Sequence, residues 1–347
     1  VRRNEQQFDE LPRLLTLSGM LAEHAPTLAD SYRHSQTLLA ALANALNALG
    51  DTLAGIDAVI AAGSLGRLEA HATSDFDGIV LAASEGPVKV PVAVFETVAA
   101  LGLRPPKADG IYRDTATLAA LCSPRDRGSL EEPPARFGKR MQLLLDARPV
   151  WGDAAFFAAQ REVLDWYAGD YLPTEVHAQW TLLLNDWSRY LHAYAGWQQY
   201  KRSHTDDDSW YLRQAKLRSS RMLTFAGLLF LLGESSTHGL RKVDWVHAQL
   251  ALTPVERVGL VMTAYDEAGF RQVLADYECV HRLLSAPEVR DALVALGPPA
   301  AGPMPARFPE PYAEIHARSA SLLRGLSRFV LARHADWHPD FFSYLLF

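Results

Sequence analysis

Asp75 and Asp77 stand two residues apart in "SDFDGIVLA", where an apolar run closes behind them. On a strand, residues i and i+2 face the same way, so both carboxylates would leave one face. Two like charges at that spacing repel, and burial makes it costly to keep both ionised. A divalent cation removes the conflict. Mg2+ takes hard oxygen ligands and shares them with substrate phosphates, and Mn2+ is the alternative ion. Upstream, "VIAAGSLGR" ends a second apolar run on Gly63 and Ser64. A strand that turns into a helix there exposes backbone N–H groups suited to a phosphate, and the Ser64 hydroxyl adds a donor. Gly66 lets backbone approach closely. Arg67 either offsets phosphate charge or forms an ion pair that defines the turn.

These residues need rigid elements to carry them. "IDAVIAA", bounded by Gly55 and Gly63, predicts a strand over Ile56–Ala62, and "FDGIVLAA" predicts another over Phe76–Ala83. "VKVPVAVFE" is a third strand or the start of a helix, after a Pro/Gly turn at 86–91. From Ala108 to Pro134, "KADGIYRD" and "SPRDRGSLEEPP" predict surface loops. Met141–Leu145 is a strand candidate closed by Asp146, Pro149 and Gly152. Before the first strand, Phe8–Leu49 has helical spacing, with Gly50 as its stop.

Beyond Asp153 the pattern becomes helical. Helices are expected over Ala154–Tyr167, Pro173–Tyr200, Ser209–Leu232, Lys242–Leu250, Pro254–Ala268 and Gly269–Leu284. "GPPAAGPMPARFPEPY" predicts a linker, followed by a helix over Ala313–Ala335 and the aromatic tail "WHPDFFSYLLF". That tail is apolar enough to need a cover, either the chain's own core or a second copy in a homodimer. The expected organisation is α+β: a helical segment (1–50), a strand-bearing domain (51–165), a helical domain (170–296), the linker (297–312) and a terminal helix with its tail (313–347).

"GSLGRLEAHATSDFDGIVL" resembles the signature of the nucleotidyltransferase superfamily with the DNA polymerase beta-like fold: Gly-Ser, a spacer, then Asp-x-Asp on a strand. Gly-Ser-x-Gly-Arg-x-Glu with Ser-Asp-x-Asp is similar to the bacterial signalling branch related to PII-protein uridylyltransferase and glutamine-synthetase adenylyltransferase. "GIYRD" and "LLLDARPVWGDAAFF" are similar to later segments of that branch, and the resemblance covers residues 56–160. It implies a polymerase beta-like domain with a small mixed sheet, followed by an all-helical substrate-binding domain. It also implies two Mg2+ ions bridging the nucleotide phosphates, held by Asp75 and Asp77. Gly63 and Ser64, with Gly66 and Arg67, would contact the phosphates of the incoming nucleotide. A third carboxylate completes such sites. Asp146 is the candidate, Glu69 and Glu96 are its rivals, and Arg148 offers Asp146 an ion pair instead. The implied reaction transfers a nucleoside monophosphate from a triphosphate, ATP among the candidates, to a hydroxyl.

Composition narrows the partners. The 347 residues are 49% apolar with a net charge of -6, which supports a sizeable core and argues against a nucleic-acid partner. A protein or small-molecule acceptor fits better. The longest apolar patch, "FAGLLFLLG", is too short for a membrane span. Cys122 and Cys279 lack metal-ligand spacing and read as reduced thiols of a cytoplasmic protein. Trp187, Tyr190, Tyr194 and Trp197 fall on one helical stripe, expected to pack in a core. Arg213, Lys216, Arg218 and Arg221 fall in pairs three apart, expected on a solvated face, with an acceptor contact as the alternative. Asp208 or Ser209 would cap that helix. His71, Asp114, Asp126 and Asp153 read as loop residues. Two other functions stay open: a non-catalytic nucleotide-binding signalling module, and a helical interaction or dimerisation protein carrying a vestigial transferase domain.

Overall fold

A computed structural model describes residues 21–71, 74–84, 86–107, 110–168, 180–204, 209–238, 241–298 and 307–346. The protein is α+β and mostly helical, with a three-stranded sheet. It divides into two compact units. One joins Asp30–Leu183 to Ser235–Thr253; the other joins Val1–Ala29, Leu184–Glu234 and Pro254–Phe347.

The first unit holds the sheet. Helix α1 (Pro26–Asn47) leads to β1 (Ile56–Ala62), a single-turn α2 (Gly63–Gly66) and β2 (Asp77–Ala82). Helices α3 (Val92–Ala100), α4 (Leu118–Leu121) and α5 (Pro134–Leu145) follow, then β3 (Arg148–Trp151) and α6 (Asp153–Ala168). The strand order is β2-β1-β3, and both pairings are antiparallel. A mixed sheet was expected, and the observed one is antiparallel throughout. Small and β-branched residues let β1 sit between two neighbours, and all of it except Asp57 is buried. Leu42, Leu46, Val59, Phe76, Val80, Val94 and Val150 form the core over this sheet. Burial of such side chains contributes about 1.5–3 kcal/mol each, which holds the end of β1 rigid.

Met141–Leu145 is not a strand. It is the last part of α5, which starts with Pro134 at its first turn. Phe137, Met141, Leu144 and Leu145 recur at helical spacing and are all buried, and they face the core beside Gln142 and Lys139. Glu132, placed by expectation in a surface loop, is buried and receives a bond from Arg140 Nη2 at 2.7 Å. "VAVFE" is helix α3 rather than a strand.

The second unit is built from α7 (Thr181–His204), α8 (Trp210–Lys216), a π-helical turn (Leu217–Arg221) and α9 (Met222–Ser235). Helix α10 (Lys242–Gln249) lies in the sheet-bearing unit, and α11 (Pro254–Thr263), α12 (Glu267–Ser285), α13 (Pro287–Ala295), α14 (Tyr312–Ala332) and α15 (Pro339–Leu346) belong to the second unit. The π turn changes the spacing inside the expected Ser209–Leu232 helix, so Arg218 and Arg221 do not share an α-helical face, whereas Arg213 and Lys216 both lie in α8. Arg213, Arg218 and Arg221 are partly buried rather than solvated, and Lys216 is exposed. Ser209 makes no side-chain cap; it accepts from Arg213 Nη1 at 2.7 Å, and Asp208 lies outside the described residues. Trp187 is buried against Phe225, whereas Trp197 at the far end of the stripe is exposed. The aromatic tail uses the chain's own core: Trp337, Phe341 and Phe342 are buried, and the Trp337 ring packs near Phe230 and Phe329. Among the described residues no helix is long and apolar enough to cross a membrane.

Candidate functional site

The Gly63 turn, the start of β2 and the segment that enters β3 meet at the C-terminal end of β1. Ala62 pairs with Asp77 on one side, and Ala61 pairs with Arg148, two residues past Asp146, on the other. The turn that leaves β1 therefore lies between the first residue of β2 and the residues that enter β3.

Gly63 begins this turn with φ +65. A Cβ on Gly63 would lie 2.5 Å from Asp77 Oδ2, so the Asp77 carboxylate rests against the bare face of the glycine. Any larger residue would need both a left-handed backbone and a displaced Asp77. At Gly66 the crowding is backbone on backbone: a Cβ would lie 2.0 Å from the Asp146 carbonyl oxygen and 2.7 Å from that of Ala61. The spacer folds back on the turn. Glu69 N–H donates to Ser64 O at 2.7 Å, and the Ser64 and Ser74 hydroxyls are 3.2 Å apart. Ser74 Oγ also accepts from His71 N–H at 3.0 Å, which ties His71 into the loop beside the Asp-x-Asp.

Asp75 and Asp77 are presented differently from the expectation. The strand starts at Asp77, and Asp75 makes only an isolated bridge with Arg104. Asp75 Oδ1 lies 2.9 Å from Arg104 Nε in an ion pair, and both side chains are 62% exposed. An ion pair that exposed contributes about 0–1 kcal/mol, so a cation competes with Arg104 easily. Nothing in the sequence marked Arg104 as its partner.

Arg67 and Asp146 form a buried cluster. Arg67 Nε donates to Glu69 Oε2 at 2.8 Å and Nη1 donates to Asp146 Oδ2 at 2.7 Å. The side chains of Arg67, Glu69 and Asp146 are 7%, 6% and 2% exposed. Asp146 caps helix α5 instead of closing a strand, and its buried Oδ1 has no hydrogen-bond partner among the described residues. Arg148, expected to pair with Asp146, donates from Nε to Gly66 O at 3.3 Å and from Nη2 to Ala251 O at 3.2 Å. Between Arg67 and Glu69, Leu68 adopts φ +62, a conformation that costs a non-glycine residue about 1–2 kcal/mol. The buried pair on either side holds that reversal in place. Glu96 is exposed on α3. Asp114 pairs with Lys89, Asp126 with Arg136, and Asp153 opens α6.

Among the described residues, no three of His, Cys, Asp and Glu are grouped as a ready metal site. The donor set still fits a hard cation. Mg2+ commonly takes one or two carboxylates and completes its shell with water and phosphate oxygens. Asp77 at the turn, exposed Asp75 and the partnerless Oδ1 of Asp146 are all oxygen donors of that kind. Lys139, which donates to the Asp114 carbonyl at 2.7 Å, has its pKa lowered by burial.

No protein-family model matches the chain, and no curated protein gives a significant match.

Proposed function

We propose that the protein is a metal-dependent nucleotidyltransferase, with a polymerase beta-like domain in the sheet-bearing unit. The observation that carries this reading is the convergence of the Gly63 turn, Asp77 and the Asp146 segment on one end of β1. A plain strand-to-helix turn requires no carboxylate packed on its glycine and no buried carboxylate oxygen left without a donor.

In this reading the turn from Gly63 to Gly66 presents backbone N–H groups to the triphosphate, with Ser64 and Ser74 closing its other side. Asp75, Asp77 and, through Oδ1, Asp146 would hold Mg2+, which supplies charge neutralisation on the phosphates and activation of the attacking oxygen. The acceptor hydroxyl oxygen forms a bond to the α-phosphorus. The bond from that phosphorus to the bridging oxygen breaks, pyrophosphate leaves with the electron pair, and the hydroxyl proton goes to solvent. The chain's own contribution is positioning and electrostatics, as in other phosphoryl transfers. The acceptor is proposed to be a protein or small-molecule hydroxyl in the cytoplasm, since an acidic chain is poorly suited to a polynucleotide.

The test incubates the full chain with each of the four labelled ribonucleoside triphosphates, Mg2+ or Mn2+, and a cell extract. Label transfer with pyrophosphate release is expected from at least one nucleotide, and Asp77→Asn should reduce it by at least about a hundredfold. Full transfer by Asp77→Asn would refute the assignment.

A second reading has its own observation. Asp75 is engaged by Arg104 and Asp146 by Arg67, an arrangement that also suits a module that binds nucleotide without turning it over. Tight binding of a Mg2+–nucleotide complex with no transfer of any label would favour that module.

A further inference from the structure

We propose that Arg67, clamped by Glu69, is a positioning residue that fixes Asp146 by its Oδ2 and turns Oδ1 toward the site's cation. The proposal rests on the nucleotidyltransferase reading and gives Arg67 a role other than the phosphate contact its sequence context suggests.

The geometry separates the two roles. A phosphate-binding arginine needs its guanidinium open to the ligand. The Arg67 side chain is 7% exposed, and two edges of its guanidinium are already engaged by carboxylates, Nε by Glu69 and Nη1 by Asp146. A planar fork spanning two carboxylates in fixed directions is a job that lysine's single ammonium cannot do. Glu69 is held in turn by its backbone bond to Ser64, so the clamp is built on the turn itself. The Asp146 backbone is pinned as well, because its carbonyl fills the space where a Gly66 side chain would be. A carboxylate held by one oxygen and by its own backbone has little freedom left. Its other oxygen, Oδ1, is buried and lacks a donor among the described residues, a state that costs a folded protein stability unless something supplies the missing interaction. A divalent cation beside Asp77 would supply it. Outer groups that orient metal ligands commonly change metal affinity or activity by about 10–100-fold when removed.

The experiment compares wild type with Arg67→Met, Arg67→Lys, Glu69→Gln and Asp146→Asn in the full chain. Folding is checked by circular dichroism. Mn2+ binding without nucleotide is followed by electron paramagnetic resonance, and kcat and KM for the triphosphate are measured separately. Arg67→Met should weaken Mn2+ binding about tenfold, matching Asp146→Asn. It should lower kcat about tenfold or more while KM for the nucleotide stays within about twofold. Arg67→Lys should recover only part of the loss, and Glu69→Gln should show a smaller loss of the same kind. If Arg67→Met does not fold, Glu69→Gln decides by the same pattern. A raised KM with unchanged kcat would make Arg67 a phosphate contact and overturn the proposal. Mn2+ binding that falls in Asp146→Asn but not in the folded Arg67 or Glu69 variants would also overturn it. If wild type transfers no nucleotide, the nucleotidyltransferase reading fails alone. The Mn2+ comparison still decides the clamp: a joint loss supports it, and no loss refutes it.

Discussion

Replacing Gly66 by alanine tests the convergence at the end of β1 most directly. Gly66 sits in the α2 turn without a positive φ, so alanine carries no intrinsic backbone penalty there. Any loss of stability must come from contact. The new Cβ would lie 2.0 Å from the Asp146 carbonyl oxygen and 2.7 Å from the Ala61 carbonyl oxygen, and both are main-chain atoms of packed segments. A side chain could rotate away; these carbonyls can move only if β1 and the entry to β3 part. That places the cost at the upper end for overpacking, about 3 kcal/mol. Gly102 is the matched control in the same unit. It has φ +79 and nothing within 4 Å of its added Cβ, so alanine there meets only the left-handed penalty, about 1 kcal/mol. Gly63→Ala combines both terms, but its contact is with the Asp77 carboxylate, which can swing aside. It should cost about 2 kcal/mol while displacing Asp77. Urea unfolding of the three variants, with m-values compared to exclude a change in mechanism, reads these differences. Gly66→Ala no less stable than Gly102→Ala would refute the close approach of the Asp146 segment to the turn, and with it the site.

Glu234 is buried and accepts from Tyr265 Oη and Trp337 Nε1, and burial raises its pKa above the ordinary 4.5. The advantage of the protonated carboxyl is full below that ordinary value and is lost as pH rises through the raised one. Glu234→Gln should therefore gain thermal stability relative to wild type as pH increases from about 4.5, and a flat difference between the two melting curves across that window would refute the burial argument. Burial, reinforced by nearby Glu162, pushes the Cys122 thiol up to about 12. At pH 8 only about one thiol in ten thousand is then ionised, so iodoacetamide should leave Cys122 unlabelled in the folded protein and label it in denaturant. Rapid native labelling, read by mass spectrometry, would show the thiol to be otherwise.

The two strands nearest the motif are visible in the sequence because each is a short β-branched or small apolar run bounded by glycine or a polar turn. Ile56–Ala62 is found with the expected bounds, and β2 starts one residue later than Phe76. Helix α5 hides for the opposite reason. Its last five residues are nearly all apolar, and so short a run carries no periodicity of its own; only Phe137 and Pro134 upstream reveal the helix. Helix α13, Pro287–Ala295, is too short and mixed to stand out beyond the Gly269–Leu284 pattern. The candidate residues were legible by type, but their partners were not. Glu69 is two residues from Arg67, whereas Asp146 is 79 away, and no local spacing links them. The same holds for Asp75 and Arg104, which meet only because the chain after α3 returns beside the Asp-x-Asp segment.

The sheet-bearing unit is discontinuous in sequence, since Ser235–Thr253 returns to it after a long excursion. A fragment ending near residue 170, the natural cut for an isolated catalytic domain, would lack the Ala251 carbonyl that Arg148 donates to and the Asp244 carboxylate that pairs with Arg161. Arg148 also holds the Gly66 carbonyl. The turn beneath the proposed phosphates is thus steadied in part by residues encoded about a hundred positions downstream. Truncation is therefore the wrong way to isolate this chemistry. A fragment that failed to bind nucleotide would report on a missing strap, and only the intact chain can report on the site.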